Sequence, residues 1–217
     1  MIKVITWFRR QPDLPLEEFR RYWREEHPKA VLQLPGLRKY VQNHVLDSQY
    51  SRQQPYADGI AETWWDSREA LAQQRGSEAL AALMVDEGKF INPEGRVSMA
   101  VEEVVVVNGG IPVDALKVIV WVQRRPDVGF EAAQTHWRTA HAALAAQIPG
   151  LRRYVQNHGR SGRSEPPVLG LPMTWFADIE TMRANADSAE LAATRADEPN
   201  FLTDHIPFVV VTEHHII

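Results

Sequence analysis

The sequence predicts an α+β protein made of two βαββαβ repeats that pack sheet against sheet. The main observation is a repeat, because residues 3–44 match residues 117–158 without a gap and with 21 of 42 positions identical. Composition alone would give about two or three matches over such a block. A second block follows at a different offset, since TWWDSREAL at 63–71 corresponds to TWFADIETM at 174–182. The chain is therefore a tandem duplication.

Each element of the first half has its own pattern. Residues 2–8 are rich in β-forming side chains, and a helix follows in which apolar residues recur at three- and four-residue spacing. The helix face consists of Leu16, Phe19, Trp23, His27, Val31 and Leu34. Residues 38–45 and 59–65 are predicted strands, 67–84 are predicted to be helical, and 97–107 form a final strand. This βαββαβ order is that of a ferredoxin-like unit.

The segment NGGIPVD at 108–114 reads as a short linker, because glycine and proline favour turns. We therefore expect a first repeat over 1–108, a linker over 109–113 and a second repeat over 114–217. A sheet covered by helices on one face needs cover on the other, and the second sheet is the nearest apolar surface. The prediction is an internal pseudo-dimer closed as a barrel. Further association into a homodimer is compatible with this arrangement but not required.

Composition excludes several classes of protein. The chain has 217 residues, 44% hydrophobic and 24% charged, with a mean hydropathy of -0.34. With 24 basic and 28 acidic residues it offers no basic stripe, so nucleic acid is not an expected partner. No apolar run approaches the roughly 18 residues of a membrane span, so no membrane partner is expected.

The lack of cysteine narrows the chemistry further. Without cysteine there is no disulfide, thiolate nucleophile, iron–sulfur cluster or cysteine zinc site. The opening MIKVITWF leads directly into a repeated motif rather than a signal peptide, so a cytoplasmic location is expected.

Three segments resemble the EthD family of the dimeric α/β-barrel superfamily: W..EHP at 23–28, LPGLRKYVQNH at 34–44 and PYADGIAETWWDS at 55–67. The resemblance covers nearly the whole chain, twice. It implies an intramolecular dimeric α/β barrel. It also implies a choice of activities, since relatives include cofactor-free enzymes that cyclise polyketides, isomerise lactones, dehydrate or decarboxylate, haem-binding branches, and proteins associated with ether breakdown.

His27 is the first candidate for chemistry. It lies four residues after Trp23 and four before Val31, so it projects from the apolar helix face toward the sheet. A histidine in such a place is either a satisfied core residue or a functional group, and both interpretations stay open. Its counterpart in the second half is His141.

The strand after this helix carries three polar side chains on one face. Tyr40, Gln42 and His44 are separated by two positions and so point the same way. If they turn toward the helices, His27, Tyr40 and His44 could meet in a pocket. If they turn toward the barrel interior, His44 would lie near its counterpart in the other half. The counterparts in the second half are Tyr154, Gln156 and His158.

A His-Tyr-His set can remove a proton from carbon and supply one to a developing enolate oxygen without a metal. We therefore predict His27, Tyr40 and His44 as catalytic residues, with His141, Tyr154 and His158 as second-half candidates. The first half is expected to be the more active one, because Pro28 becomes Ala142 in the second.

Every tryptophan falls in a repeated motif, either as a core residue or as a wall of a pocket for a flat ligand. The predicted substrate-binding residues are Trp7, Trp23, Gln42, Glu62, Trp64, Trp121, Trp137 and Trp175. Of these, Glu62 has no acidic counterpart, since residue 173 is methionine. For the repeated pairs Asp86-Glu87 and Asp197-Glu198, helix-end or loop capping is favoured over catalysis. The matched residues Tyr22 and His136 receive no role.

The predicted function is a cofactor-independent lyase, isomerase or cyclase acting on a small, largely apolar carbonyl, lactone or polyketide-like compound. The alternatives are a non-catalytic small-ligand-binding or accessory protein of a degradation or biosynthetic pathway, and a haem protein. No metal site is expected, because no HxxEH, HExxH or HxH pattern is present. No cofactor is expected, with haem as the alternative.

Overall fold

We describe a computed structural model of the chain, in which residues 1–51, 53–162, 164–204 and 206–217 are described. The elements of the first half follow the predicted order, with two additional helix breaks and one short extra helix. They are β1 (Ile2–Arg10), α1 (Leu16–Glu25), α2 (Pro28–Val31), β2 (Leu37–Val45), α3 (Asp47–Tyr50), β3 (Gly59–Trp65), α4 (Arg68–Gln73), α5 (Glu78–Glu87) and β4 (Ile91–Asn108).

The second half repeats this order with its own local differences. Its elements are β5 (Leu116–Val120), α6 (Phe130–His136), a π-helical turn (Trp137–His141), α7 (Ala142–Ala145), β6 (Leu151–Gly159), β7 (Gly170–Phe176), α8 (Ile179–Ala184), α9 (Ala189–Asp197), a 3₁₀ turn (Glu198–Asn200) and β8 (Phe208–His215).

The eight strands form a closed barrel in the order β1-β3-β2-β8-β5-β7-β6-β4. Within each half the central pairings are antiparallel, as in β1 with β3 and β2 with β3, and again in β5 with β7 and β6 with β7. The predicted fold class is confirmed: two ferredoxin-like βαββαβ repeats form an intramolecular α/β barrel.

The chain folds as two compact units, 1–100 with 213–217, and 101–212. The boundaries fall inside β4 and β8, so each of these strands contributes residues to both units. In the part of the chain that the structure describes, no helix is long and apolar enough to cross a membrane.

The helix predicted from Leu16 to Leu34 is broken near its middle. In the first unit α1 ends at Glu25 and α2 begins at Pro28, whose ring nitrogen has no hydrogen to donate. The backbone nitrogen of His27 bonds to the carbonyl of Tyr22, five residues back, at 3.1 Å. In the second unit Ala142 replaces the proline, and the helical backbone continues through the π-helical turn. Both arrangements place a histidine at an irregular point of the helix.

The second predicted helix, 67–84, is also divided. Its two parts, α4 and α5, begin at Ser67 and Ser77, whose side chains accept a backbone hydrogen bond and cap each start. Between them Gly76 has a φ of +80°, a conformation that glycine adopts without steric cost. The predicted helix is therefore two helices. The second of them, α5, ends at Glu87, three residues beyond the predicted end.

A glycine in β3 allows α1 to lie close to the sheet. A Cβ atom added at Gly59 would lie 2.8 Å from atoms of both Phe8 and Trp23, far inside van der Waals contact. At the equivalent Gly170, an added Cβ would lie 2.4 Å from Trp137. The indole of Trp23 therefore occupies the space that any other residue at 59 would fill, and this fixes the helix over the middle of the sheet.

Candidate functional site

The centre of the candidate site is a histidine–aspartate pair that joins the turn between α1 and α2 to α5 in the first unit. Nδ1 of His27 lies 2.8 Å from Oδ2 of Asp86, which belongs to α5. A carboxylate accepts hydrogen bonds, so Nδ1 carries the hydrogen and Nε2 keeps a lone pair; this tautomer is assigned from the hydrogen-bond network. His27 is only 5% exposed. The pair thus presents a buried imidazole nitrogen that can accept a proton.

Asp86 has further partners that hold it in place. Its Oδ1 accepts hydrogen bonds from the hydroxyl of Tyr22 and, at 3.1 Å, from Nζ of Lys89. Burial alone would raise the pKa of Asp86, but hydrogen bonds from its three partners bring the pKa below its ordinary value. Burial lowers the pKa of His27, although its hydrogen bond to the carboxylate acts in the opposite direction. Near neutral pH the pair is therefore a carboxylate with a neutral imidazole.

Tyr40 lies beside this pair with its hydroxyl in a defined network. The hydroxyl oxygen accepts hydrogen bonds from Nε1 of Trp23 at 2.9 Å and from Nε2 of Gln42 at 3.1 Å. These two bonds occupy both lone pairs, so the hydroxyl hydrogen remains for another acceptor. Burial raises the pKa of Tyr40, which keeps the phenol protonated. The hydroxyl can therefore donate a hydrogen bond to a ligand oxygen.

The rings of His27 and Tyr40 approach each other edge to face, with centroids 6.3 Å apart. Phe90 packs on the other side of the imidazole at 4.8 Å. Phe19 and Trp23 are completely buried and extend this aromatic wall. The strand face carrying Tyr40 therefore turns toward the helices, which settles the alternative that parity left open.

His44 joins the network at a distance from His27. Its Nε2 bonds to Oε1 of Gln42 at 3.0 Å, and its ring stacks on Trp23 with centroids 4.3 Å apart. Gln42 in turn bonds to the hydroxyl of Tyr40. His44 thus positions Tyr40 through Gln42, and the convergence of all three predicted catalytic side chains on one point is not observed.

Three of the predicted substrate-binding residues lie on the opposite face of the sheet. In the β1–β3 ladder Trp7 pairs with Ile60 and Ile5 pairs with Glu62, and these positions alternate with the helix-facing ones. Trp64 shares that face, where Nζ of Lys3 lies 4.6 Å from the centroid of its ring. Strand parity therefore turns Trp7 and Trp64 away from the face that carries Tyr40, and their predicted role in substrate binding stays a prediction.

Glu62 belongs to a buried polar group on that opposite face. Its Oε2 lies 2.7 Å from Nζ of Lys3, and its Oε1 accepts a hydrogen bond from Nδ2 of Asn43 at 3.0 Å. All three side chains are almost fully buried. A buried ion pair of this kind is very sensitive to loss of one partner. Glu62 is a member of this network and not of the His27 cluster.

The second unit repeats the histidine–aspartate pair. Nδ1 of His141 lies 3.0 Å from Oδ2 of Asp197, and the same carboxylate also binds Nε2 of His136 at 2.9 Å. Burial, as in the first unit, lowers the pKa of His141. The two units differ in the third partner, because a histidine at 136 takes the place of Tyr22.

The tyrosine network is also repeated. The hydroxyl of Tyr154 accepts hydrogen bonds from Trp137 at 3.3 Å and from Gln156 at 3.0 Å, and burial raises its pKa to about 12. His158 bonds to Gln156 at 2.8 Å and lies against Trp137 with ring centroids 4.2 Å apart.

The remaining two tryptophans of the second unit are Trp121 and Trp175. Trp175 lies in β7, where it pairs with Lys117 and contacts its Nζ at 4.7 Å. Trp121 is completely buried. Their predicted role in substrate binding stays a prediction.

Sequence reasoning missed the two aspartates. Asp86-Glu87 and Asp197-Glu198 were expected to cap helix ends or loops, but Asp86 and Asp197 bind the two helix histidines instead. The sequence did contain an indication, because the pairs Asp86-Glu87 and Asp197-Glu198 are as far apart as the repeated segments at 63–71 and 174–182. Spacing along the chain does not reveal that α5 passes His27, because 59 residues separate the partners. Tyr22 was missed for the same reason.

No group of three or more His, Cys, Asp or Glu side chains in the described ranges is arranged to hold a metal ion. His136, His141 and Asp197 form a hydrogen-bonded group.

The fold, with eight strands in one closed barrel built from two ferredoxin-like repeats, is that of an α/β-barrel protein. The EthD domain family matches residues 11–94 and 125–205, which is more than half of the chain. The protein belongs to the EthD family, with one EthD domain in each half. No curated protein matches the sequence significantly.

Solved structures share the fold across nearly the whole chain. An anthrone oxidase-like protein superposes with a TM-score of 0.69 at 16% identity, covering 99% of this chain and 92% of that one. A protein provisionally named a monooxygenase, from Lactobacillus acidophilus NCFM, has a TM-score of 0.58 at 10% identity, with coverages of 98% and 93%. A mutant chlorite dismutase from Candidatus Nitrospira defluvii has a TM-score of 0.53 at 14% identity, with coverages of 97% and 91%. At these identities the likeness describes the fold alone.

Proposed function

We propose that this protein is a cofactor-independent acid–base enzyme, a lyase, isomerase or cyclase, that acts on a small and largely apolar carbonyl compound in the first unit. The observation that carries the proposal is the His27–Asp86 pair. It supplies a neutral imidazole nitrogen with a fixed tautomer, buried among aromatic rings and beside the hydroxyl of Tyr40.

In the proposed reaction, Nε2 of His27 removes a proton from the carbon next to a substrate carbonyl. Negative charge then develops on the carbonyl oxygen, where Tyr40 donates its free hydroxyl hydrogen and stabilises the enolate. Asp86 is a positioning residue, because it holds Nδ1–H and stabilises the imidazolium that forms. Return of the proton to a different atom, or loss of a leaving group, completes an isomerisation, cyclisation or elimination.

The surroundings favour an apolar substrate. Phe90 lies against His27, and Trp23 lies over the strand between Tyr40 and His44. These rings exclude water, which strengthens the electrostatic effect of Tyr40 on a developing oxyanion. Gln42 and His44 fix the orientation of the tyrosine hydroxyl and do not contact the reacting atoms.

Proton exchange at carbon tests this proposal without knowledge of the natural substrate. Anthrone, a cyclic 1,3-diketone and a β-keto lactone are incubated with the protein in D₂O, and loss of the α-proton signal is followed by NMR. We expect exchange above the buffer rate for at least one compound and a loss of about 100- to 10,000-fold in the His27→Gln variant. His141→Gln is the matched control and is expected to retain most activity.

Equal losses of proton exchange in His27→Gln and His141→Gln, with folding intact, would show that both units catalyse the exchange. No exchange with any compound that binds would contradict the enzyme proposal. An oxygen electrode in the same assay detects a reaction of the carbanion with dioxygen, the outcome that the name of the anthrone oxidase-like structure suggests.

A non-catalytic ligand-binding protein is the second candidate, favoured by the burial of the site. His27 and Tyr40 are 5% and 1% exposed, so a ligand must open the aromatic wall to reach them. Such a protein would bind the same class of compound and leave its α-protons unexchanged. Binding measured by tryptophan fluorescence without any exchange would favour this candidate.

The residues present do not fit haem well. An axial histidine needs a free ring nitrogen facing open space for a flat macrocycle. Phe90 and Tyr40 pack against His27, and the ring of His44 is stacked on Trp23 with its Nε2 bonded to Gln42. We therefore assign no step to haem; an absorption spectrum of the freshly purified protein tests this, with a Soret band as the contradicting result.

A further inference from the structure

A group of basic side chains lies where α1 passes the end of β2. It comprises Arg20 and Arg24 on α1, His44 on β2 and His214 near the end of β8. Nη1 of Arg24 lies 2.7 Å from Nδ1 of His214, and the rings of the two histidines are 4.8 Å apart. All four residues belong to the first unit. We call them the basic cluster.

Two acidic groups lie near the basic cluster, and neither forms an ion pair with Arg24. Asp47 pairs with Arg20 at 2.5 Å and is itself 81% exposed, and Glu213 pairs with His215 at 3.2 Å. Within the described residues, Arg24 forms no ion pair with a carboxylate. Burial and the charge of Arg24 lower the pKa of His214, so the guanidinium contacts a neutral imidazole. The positive charge of Arg24 is therefore uncompensated.

His44 has a ring nitrogen that faces this cluster. Gln42 donates through Nε2 to the carbonyl of Trp23 and to Tyr40, so its Oε1 accepts the hydrogen on Nε2 of His44. Nδ1 of His44 then carries a lone pair, and no described side chain or backbone group donates to it. The residue is only 6% exposed. An unpartnered buried nitrogen beside cations is costly unless something else occupies the site.

The second unit shows the same positions in a neutralised form. Gln134 replaces Arg20 and hydrogen-bonds to Nδ1 of His158. Arg138, the counterpart of Arg24, pairs with Glu102 at 3.1 Å, and Glu102 lies directly opposite His158 in the β4–β6 ladder. In this unit the arginine has a carboxylate partner, and a neutral amide stands where the first unit has its second arginine.

We propose that the basic cluster of the first unit is a binding site for a small oxyanion, with the carboxylate group of an organic acid as the chemistry that fits. The guanidinium of Arg24 can donate two parallel hydrogen bonds to a carboxylate. A bound anion raises the pKa of His44, because a proton on Nδ1 can then be donated to the anion. The inference does not rest on the proposed acid–base reaction, because none of its steps uses His27.

NMR titration of the histidine side chains tests the proposal at pH 7 in ¹⁵N-labelled full-length protein. Sodium benzoate and sodium sulfate are added against sodium chloride at equal ionic strength. We expect saturable shifts of the His44 signals with benzoate or sulfate but not with chloride, and in a pH series we expect a higher midpoint for protonation of His44 when the anion is bound. Tighter binding of benzoate identifies an organic acid as the ligand type, and tighter binding of sulfate identifies an inorganic oxyanion.

Variants distinguish the site from a general effect of charge. Arg24→Gln and His214→Glu are expected to weaken binding by about 10- to 100-fold, the range for loss of one charge-assisted hydrogen bond. Arg138→Gln removes the matched arginine of the second unit and is expected to leave the affinity unchanged. Both arginines are exposed at the surface, so neither variant should prevent folding. Shifts no larger than those in chloride, or an unchanged affinity in Arg24→Gln, would overturn the proposal.

The same titration in His27→Gln separates this inference from the proposed reaction. Anion binding is expected to be unchanged in that variant even though proton exchange is lost. Loss of both properties together in His27→Gln would contradict the independence of the two sites.

Discussion

Nδ1 of His27 lies 2.8 Å from Oδ2 of Asp86, although 59 positions separate the two residues in the sequence. The contact exists because the irregular end of α1 and the last turn of α5 meet over the same strands. It fixes the tautomer and the orientation of an imidazole in an apolar environment. The equivalent contact between His141 and Asp197 repeats the arrangement in the second unit.

Asp86→Asn is expected to lower proton exchange by roughly 100- to 10,000-fold, the range for loss of effective acid–base catalysis. An amide can present its NH₂ group to Nδ1 and stabilise the wrong tautomer, which leaves Nε2 protonated. The tautomer of His27 is read directly from its ¹⁵N chemical shifts. Asp197→Asn is the control, and a normal His27 tautomer with full activity in Asp86→Asn would contradict the assigned role.

The pH dependence of exchange should rise with a midpoint below the ordinary histidine value of about 6.5. Burial lowers the pKa of His27, so the neutral base persists to lower pH. The hydrogen bond to Asp86 acts in the opposite direction, and its removal should therefore move the midpoint lower still. A rate profile measured between pH 4 and 8 gives the midpoint, and a value above 7 in the wild-type protein would be inconsistent with this environment.

Much of the fold could be predicted from the sequence because the signals were local or repeated. The ungapped match of residues 3–44 to 117–158 predicted the duplication, and alternation predicted β2 and β3 closely. The break at Pro28 was missed because apolar spacing continues across it. The division at Gly76 was missed because Ala and Leu around it favour helix on both sides.

The site was only partly predictable. Spacing placed His27 on the inner helix face and Tyr40, Gln42 and His44 on one strand face, and the structure brings these elements together. The alternation of side chains along a strand does not indicate whether that face lies toward the helices or toward the other side of the sheet. Contacts between distant segments, such as that with Asp86, depend on tertiary packing and have no local signature.

Stability should fall as the pH drops from about 6.5 toward 4, because buried histidines are neutral in the folded state. Burial, followed by the charge of Arg138, lowers the pKa of His158 to about 4, and burial lowers that of His44 to about 3. The unfolded chain binds protons near 6.5, so each group favours unfolding by at most about 2 kcal/mol between pH 7 and 5.

Urea unfolding of His158→Gln at pH 7 and pH 5 checks this expectation. The variant should lose less stability than the wild-type protein over that interval. His215→Gln is a suitable control because His215 is exposed. An unchanged pH dependence in His158→Gln would show that this histidine is not the group that takes up a proton on unfolding.

Lys3→Met should destabilise the protein by about 3 to 5 kcal/mol, because it removes one partner of a buried ion pair. The side chains of this pair are 3% and 2% exposed, and the charged atoms are 2.7 Å apart. Lys39→Met is the matched control, since Lys39 contacts the same Trp64 ring at 4.6 Å but is only partly buried. Urea unfolding should show a loss of less than about 1 kcal/mol for the control. Equal losses in the two variants would mean that the ion pair is not the cause.

Tyr40→Phe should reduce both stability and exchange, for separate reasons. Removal of the hydroxyl leaves the buried Nε1–H of Trp23 without an acceptor, which costs about 1 to 3 kcal/mol. It also removes the donor to the enolate oxygen, and we expect proton exchange to fall by about 100-fold or more.

Tyr154→Phe separates these two effects, because it breaks the equivalent bond from Trp137 in the second unit. Its loss of stability should be similar or somewhat smaller, since that bond is longer, at 3.3 Å against 2.9 Å. Exchange should be nearly unchanged if the first unit carries the reaction. If Tyr40→Phe is destabilised as expected yet exchanges protons at the wild-type rate, the hydroxyl serves packing alone and another donor must stabilise the enolate.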